Sequence, residues 1–140
     1  MSQWTHVSGC IRIDTIFASM IKEKLVDAFG NCVDYGDSED KWDACTVPLG
    51  SEGSVQYRVE KTSTDDCEAS WGVVYIWGDL RDYRDYNAIY QWIKDSCGKL
   101  DGLWVRSCAV TIEVEGMGSY FIYSKFNDET TIVDILMMGF

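Results

Sequence analysis

The chain has 140 residues, 46% of them hydrophobic and 14% aromatic, which indicates one folded domain, residues 1–140, rather than a disordered acidic tail. Its 23 acidic and 12 basic residues leave a formal net charge of −11. A surface of that sign repels nucleic-acid phosphates and anionic lipids, and it attracts basic proteins or cations. We therefore expect no direct binding of nucleic acid and no binding to membranes.

The opening segment MSQWTHVSGC has neither the basic region nor the apolar region of a secretory signal. No run approaches the ~18 apolar residues of a membrane span, so we expect a cytoplasmic protein. The cysteines are scattered without a C-x-x-C pair, which predicts free thiols in a reducing compartment. Because His6 is the single histidine and no close ligand pair accompanies it, we expect no metal and no cofactor.

Residues 4–14, WTHVSGCIRID, predict a strand that places Val7, Ile11 and Ile13 on one face. Gly9 indicates a bulge or a close backbone approach within it. Residues 15–30, TIFASMIKEKLVDAFG, predict a helix that is capped by Asp14 and ends at Gly30. The apolar residues that recur every three or four positions, and that we expect to be buried, are Ile16, Phe17, Met20, Ile21, Leu25, Val26 and Phe29.

The middle of the chain combines an irregular acidic segment with two strands and a second helix. Residues 31–53 are polar and contain the single proline, Pro48. Residues 54–62, SVQYRVEKT, alternate as a half-buried strand does. Residues 71–78, WGVVYIWG, are continuously apolar, which is typical of a strand covered on both faces. Residues 85–98, DYNAIYQWIKDSCG, predict a helix from Asp85 to Gly98.

The remaining residues predict a meander with strands over 103–115, 119–126 and 131–138. The order β-α-β-β-α-β then predicts an α+β fold in which two helices lie on one face of an antiparallel sheet. This is a ferredoxin-like core with a C-terminal β-hairpin extension, which either lengthens the sheet or folds over its open side. The apolar end TIVDILMMGF needs covering by its own domain or by a second copy, so a homodimer stays open.

The stretch DYGDSEDKWD, residues 34–43, holds five carboxylates beside one Lys and one Trp. Its acids do not fall at the offsets of an EF-hand loop, so a solvated loop or a recognition surface is the better interpretation. An aromatic side chain within an acidic rim is typical of an interface anchor. We expect this segment to bind a partner through Asp37, Glu39, Asp40, Trp42 and Asp43.

The second candidate is WGDLRDYRDYN, residues 77–87, which repeats the tripeptide R-D-Y between a strand and a helix. Acids just before a helix complement its positive end, which is a structural explanation for part of the pattern. Two Arg and two Tyr beside the sheet could also contact a ligand or a partner. The candidate binding residues are Asp79, Arg81, Asp82, Tyr83 and Arg84.

Catalysis has little support in the sequence. A Cys–His nucleophile pair would have to use His6 on a strand, and no Walker A, G-x-S-x-G or G-x-G-x-x-G sequence occurs. Glu113 and Glu115 share a strand face, where adjacent outward acids are usually a solvated surface. We therefore expect no catalytic residues.

The opening MSQWTHVSGCIRID, the acidity, the single short domain and the lack of a catalytic motif resemble small phage-encoded proteins, in particular anti-defence inhibitors of the anti-CRISPR kind. The resemblance implies a non-enzymatic inhibitor in the host cytoplasm that blocks the basic, nucleic-acid-binding surface of a host defence protein. Toxin-immunity proteins are similar in size and acidity. The alternative is a protein that binds or sequesters a small nucleotide signal in a pocket between Tyr75, Trp77, Tyr83 and Arg84.

Overall fold

The computed structural model describes residues 2–15, 21–33, 36–61, 70–100, 103–126 and 133–140. Within these ranges the chain forms six strands and three helices. In chain order they are β1 (Trp4–Thr15), α1 (Ile21–Phe29), α2 (Glu39–Asp43), β2 (Gln56–Lys61), β3 (Ser70–Arg81), α3 (Tyr86–Gly98), β4 (Leu103–Val114), β5 (Gly118–Phe126) and β6 (Val133–Gly139).

All six strands form one sheet in the order β2-β3-β1-β4-β5-β6, and every neighbouring pair is antiparallel. The three central strands, β3, β1 and β4, are each 12 residues long. Strand β5 pairs with β4, and β6 pairs with β5, so the C-terminal hairpin extends the sheet at its β4 edge rather than folding over it.

The predicted class, a ferredoxin-like α+β fold with two helices, is wrong, because the fold is dominated by its sheet. Strands make up half of the described residues, and the helices span only 9, 5 and 13 residues. Strand β3 continues past WGVVYIWG to Arg81, because it pairs with β1 along its whole length although Gly78 and Asp79 disfavour a strand. The acidic segment also forms a short helix, α2, that the polar composition did not predict.

The core lies between one face of the sheet and helices α1 and α3. Alternate residues of β1 and β4, such as Val7 and Ile112, are buried, as the period of two requires. Leu25 and Phe29 of α1 are buried as predicted, and Ile93 of α3 completes the layer. Val26 is 48% exposed, so its predicted burial is wrong. Residues 16–20 of the predicted first helix lie outside the described residues.

Polar groups join the layers at the end of α1. The Trp92 Nε1 donates a hydrogen bond of 2.9 Å to the Phe29 carbonyl, and the Tyr57 hydroxyl donates one of 2.7 Å to the Gly30 carbonyl. The Phe29 ring also contacts both aromatic rings. The carbonyls at a helix C-terminus lack partners within the helix, and these side chains supply them. At the start of α3, the Asp85 carboxylate accepts from the Ala88 N–H and caps the helix, which begins near Asp85 as predicted.

The opposite face of the sheet carries no helix in the described part of the chain. Tyr75 and Trp77 of β3 are 42% and 45% exposed there, so the prediction that WGVVYIWG is covered on both faces is wrong. Exposed Ser8, Ala109 and Thr111 continue the same face across β1 and β4. We call this surface the open face. Among the described residues, no helix is long and apolar enough to span a bilayer.

Gly9 brings the backbones of β1 and β4 into close approach, as its position in the strand predicted. A Cβ atom at Gly9 would lie 2.2 Å from the Ala109 carbonyl oxygen and 2.5 Å from the Val110 Cα. These are backbone atoms of a central strand, so they cannot move away as a flexible side chain would. The register shift in this strand pair lies between Arg12 and Ile13, which excludes a bulge at Gly9 itself.

We expect Gly9→Ala to lower the free energy of unfolding by at least ~1–3 kcal/mol, because an overpacked interior must displace backbone. Gly98→Ala is the matched control, since a Cβ there meets nothing within 4 Å and alanine favours the helix. Urea denaturation followed by circular dichroism measures both. Equal stability of Gly9→Ala and the original chain would contradict the close approach.

Candidate functional site

Helix α2 carries the first group of predicted binding residues on an exposed turn. Glu39, Asp40 and Asp43 are exposed and belong to this five-residue helix, with Trp42 half-buried among them. Asp37 precedes it and pairs with Lys41 at 3.6 Å, an i,i+4 contact. Acids in the first turn complement the positive helix end, which is the signal that could have predicted this helix. Residues 34 and 35, the start of the predicted acidic stretch, lie outside the described residues.

The second group, at the end of β3, is held by contacts within the chain. The Arg81 Nη1 donates to the Glu52 carboxylate at 2.7 Å, and its Nε lies 3.7 Å from the Asp82 carboxylate. The backbone is paired as well, because the Ser51 N–H donates to the Arg81 carbonyl and the Arg81 N–H donates to the Glu52 carbonyl. Arg84 donates to the side chain of Gln3. The sequence pattern did not predict these partners, because residues 2–3 and 51–52 are distant along the chain.

Asp82 takes a left-handed backbone conformation, with φ 53°. Its N–H donates to the Gln3 carbonyl at 2.6 Å, and its carboxylate accepts from the Gln3 N–H and from the Ser51 hydroxyl. A non-glycine residue in this region is uncommon, and aspartate is among those that tolerate it. The contacts on both sides hold this turn, so the R-D-Y loop is a structured corner of the fold.

Tyr83 belongs to the core side of the molecule. It packs against the buried cluster, its carbonyl accepts from the Thr5 hydroxyl, and burial raises the pKa of its phenol to about 12. Tyr75 and Trp77 lie on the open face instead. The structure therefore does not bring together the four residues of the predicted nucleotide pocket.

His6 connects the end of β3 to the end of β4. Its Nδ1 lies 2.6 Å from the Asp79 carboxylate, and its Nε2 lies 2.9 Å from the Glu115 carboxylate. Carboxylates only accept hydrogen bonds, so the imidazolium, which donates from both nitrogens, fits between them. The hydrogen bond with Asp79 is the main cause that raises the pKa of His6 above its ordinary value, and that with Glu115 adds to it. The same contact lowers the pKa of Glu115.

No disulfide forms among the described cysteines, which are Cys10, Cys32, Cys45, Cys97 and Cys108. Burial raises the pKa of Cys97 and of Cys108 to about 12, so both stay protonated and unreactive at neutral pH. Cys67 lies outside the described residues. Within the described ranges, no group of three or more His, Cys, Asp or Glu side chains could hold a metal ion.

A cavity of about 210 Å³ lies where α1 and α3 end, lined by Asp27, Thr46, Trp92, Asp95 and Lys99. Ligand pockets are usually ~300–1,000 Å³. Two carboxylates and two helix C-termini outweigh the one ammonium group of Lys99, and the resulting negative charge disfavours a nucleotide phosphate.

Comparison with protein-family models, with curated proteins and with solved structures finds no match for this chain.

We expect the imidazole of His6 to titrate above its ordinary pKa near 6.5 and to move toward that value in Asp79→Asn and in Glu115→Gln. The shift should be larger for Asp79→Asn, because Asp79 makes the stronger contact. NMR of the imidazole protons measures this directly, since the chain has one histidine. A midpoint that Asp79→Asn leaves unchanged would show that the contact is not made in solution.

The same cluster makes stability depend on pH. A raised pKa of His6 stabilises the fold fully below about pH 6.5, and this stabilisation is lost as pH rises through the folded-state pKa. A lowered pKa of Glu115 stabilises the fold above about pH 4.5, and this is lost as pH falls. The stability difference between the original chain and His6→Gln should therefore be largest between these values and vanish at alkaline pH. Urea denaturation at several pH values measures it, and a difference that does not change with pH would contradict it.

Proposed function

We propose that this chain is a non-enzymatic binding protein that docks a basic protein partner through helix α2. The observation that supports this is the unequal neutralisation of the two acidic segments. Asp79 and Asp82 are paired with His6 and with Arg81, whereas three acids of α2 are exposed and share one nearby lysine, Lys41, which pairs with Asp37. Helix α2 therefore presents net negative charge to solvent.

Exposed charge of one sign mainly affects the rate at which two proteins associate. A negative surface accelerates association with a basic partner and rejects acidic ones, while the affinity comes from buried contacts. Trp42 is the aromatic side chain within this acidic turn, and it is half-buried. Aromatic side chains surrounded by polar residues are typical centres of binding energy. In the proposed complex Trp42 is the anchor and Glu39, Asp40 and Asp43 are its rim.

The likeness to small acidic phage proteins suggests which basic surface the chain meets. In anti-defence inhibitors of that kind, the partner is a host effector whose basic groove binds nucleic acid. An acidic helix that occupies such a groove competes with phosphate for the same Lys and Arg side chains. On this proposal the chain acts in the host cytoplasm as an inhibitor, and a toxin-immunity role would use the same electrostatics.

A protein surface is better supported as the partner than a small nucleotide. The four residues of the predicted pocket lie on different sides of the sheet, and the cavity near α3 is small and acidic. An enzymatic role also lacks support, because His6 is held between two carboxylates and the buried thiols of Cys97 and Cys108 stay protonated.

A charge-reversal variant tests the proposal: Glu39→Lys, Asp40→Lys and Asp43→Lys together, with Asp37 retained because it pairs with Lys41. We expect it to retain at most a tenth of the partner that the original chain captures from host lysate at about 0.05 M salt. Salt of about 0.5 M should weaken the original interaction, because screening shortens the range of charge attraction. Quantitative mass spectrometry of the captured proteins is the measurement.

The matched control reverses three other exposed acids, Glu23, Asp27 and Asp95 on α1 and α3, and so changes the net charge equally. It should capture the partner nearly as well as the original chain. Equal loss in both variants would mean that only overall charge matters. Unchanged capture by the α2 variant would exclude α2 as the binding site.

A further inference from the structure

The open face concentrates the exposed apolar surface of this molecule. Seven large hydrophobic side chains are exposed among the described residues, and five of them lie on this face or at its margin. They are Tyr75, Trp77, Trp104, Met138 and Phe140, with Phe140 81% exposed. Isolated exposed hydrophobic residues are ordinary, but a contiguous patch of this kind marks an interaction surface.

Strand register places these side chains in two rows across the sheet. One row joins Tyr75, Cys10, Ala109 and Tyr123, and the next joins Trp77, Ser8, Thr111 and Phe121. The rings of Phe121 and Tyr123 stack at 5.9 Å, with 10° between their planes. Small side chains on β1 and β4 thus lie between aromatic side chains on β3 and β5. The face is flat enough to meet another flat surface.

Charge differs between the two ends of the open face along the strand direction. At one end, Asp79, Glu113 and Glu115 surround His6, so negative charge predominates. At the other end, the carboxylates of Asp14 and Glu60 are paired with Arg106 and Arg58. The exposed Arg12 of β1 shows no ion pair among the described residues, so positive charge predominates there. We call these the acidic end and the basic end.

We propose that the open face binds a second copy of this chain, with the two sheets packed face to face around a two-fold axis that crosses the strands. Such an axis reverses the strand direction of the partner copy, so the acidic end of each copy faces the basic end of the other. An axis along the strands would instead set the acidic ends against each other. The reversed arrangement is self-complementary, as a two-fold interface requires.

The same axis brings Trp77 of each copy against Tyr75 of the other. These residues lie two positions apart on β3, so an axis between their rows exchanges them. Aromatic pairs of this kind stabilise an interface beyond the contribution of the area that they bury. Sheets that pack face to face are about 10 Å apart, which leaves room for the interleaved side chains.

The size of the face fits a stable dimer. Six strands about 4.8 Å apart, overlapping over some seven residues, cover roughly 600–700 Å² in projection. Because aromatic side chains protrude from the sheet, the accessible area of the open face is larger than its projection. It approaches the ~800 Å² that each partner contributes to a standard interface. Helix α2 is not part of this face, so the dimer would leave the acids of the proposed function available to a partner.

Sedimentation equilibrium of the purified chain tests this proposal. The chain has a mass of 15.9 kDa, and we expect a species of twice that mass at concentrations of about 10–100 µM. Trp77→Thr combined with Tyr75→Thr should sediment as a monomer, because threonine favours a strand but removes both rings. The control Met117→Ser changes an exposed hydrophobic residue in the turn after β4 and should stay dimeric. Circular dichroism verifies that each variant is folded.

Charge exchange tests the orientation of the two copies. Glu113→Arg alone and Arg12→Glu alone should each weaken the dimer at least tenfold, and the double variant should recover most of the loss. A monomeric original chain would overturn the proposal, and so would a dimer that survives the loss of both rings. If the double variant does not recover the dimer affinity that each single variant loses, the proposed orientation of the two copies is excluded. None of these outcomes involves α2, so they are independent of partner capture.

Discussion

The main structural constraint on this molecule is that the helices of the described chain pack on only one face of its sheet. Six strands present two faces, and the described helices α1 and α3 cover only one of them. The covered face is filled by aliphatic side chains such as Ile11 and Ile112, both fully buried, and it supplies the free energy that holds the strands together. The other face is left with exposed rings beside small side chains. That asymmetry separates a stabilising surface from one that is available for binding.

The acidic side chains divide in a similar way: some are paired within the fold, and others are exposed to a binding partner. The acids near the end of β3 are paired within the fold. Asp79 contacts His6, and Asp82 contacts Arg81 and accepts from the Gln3 N–H. The acids of α2 lie on a single exposed turn whose one basic residue, Lys41, already pairs with Asp37. A net charge of −11 is therefore not evenly available to a partner. The two proposals use different surfaces for this reason, with α2 for a basic partner and the open face for a second copy.

Local patterns predicted the elements well. Alternation located β1 and β2, the helical pattern from Asp85 to Gly98 located α3, and Gly9 indicated a close backbone approach that the structure confirms. Each of these depends on neighbouring residues or on the space around one Cα atom. The fold class was wrong because element lengths depend on pairing between distant strands. The length of β3, for example, follows from its ladders with β1 and β2.

The contacts of the second candidate group could not be predicted from the sequence, because the partners are distant along the chain. Arg81, Asp82 and Arg84 formed a suggestive loop, yet their contacts are Gln3, Ser51 and Glu52, in segments that no local pattern joins to them. The continuous apolar run around Tyr75 was compatible with burial on both faces or with an exposed aromatic row. Only the positions of the helices distinguish the two.

Composition and local pattern by themselves determined the sign of the surface, most of the strands and both longer helices, because these depend on residue type and on short periodicity. Tertiary structure alone decided which acids are neutralised, which face is open, and which aromatic side chains reach solvent. These properties depend on contacts between residues far apart in the chain, and the periodicity of a single strand or helix does not encode them.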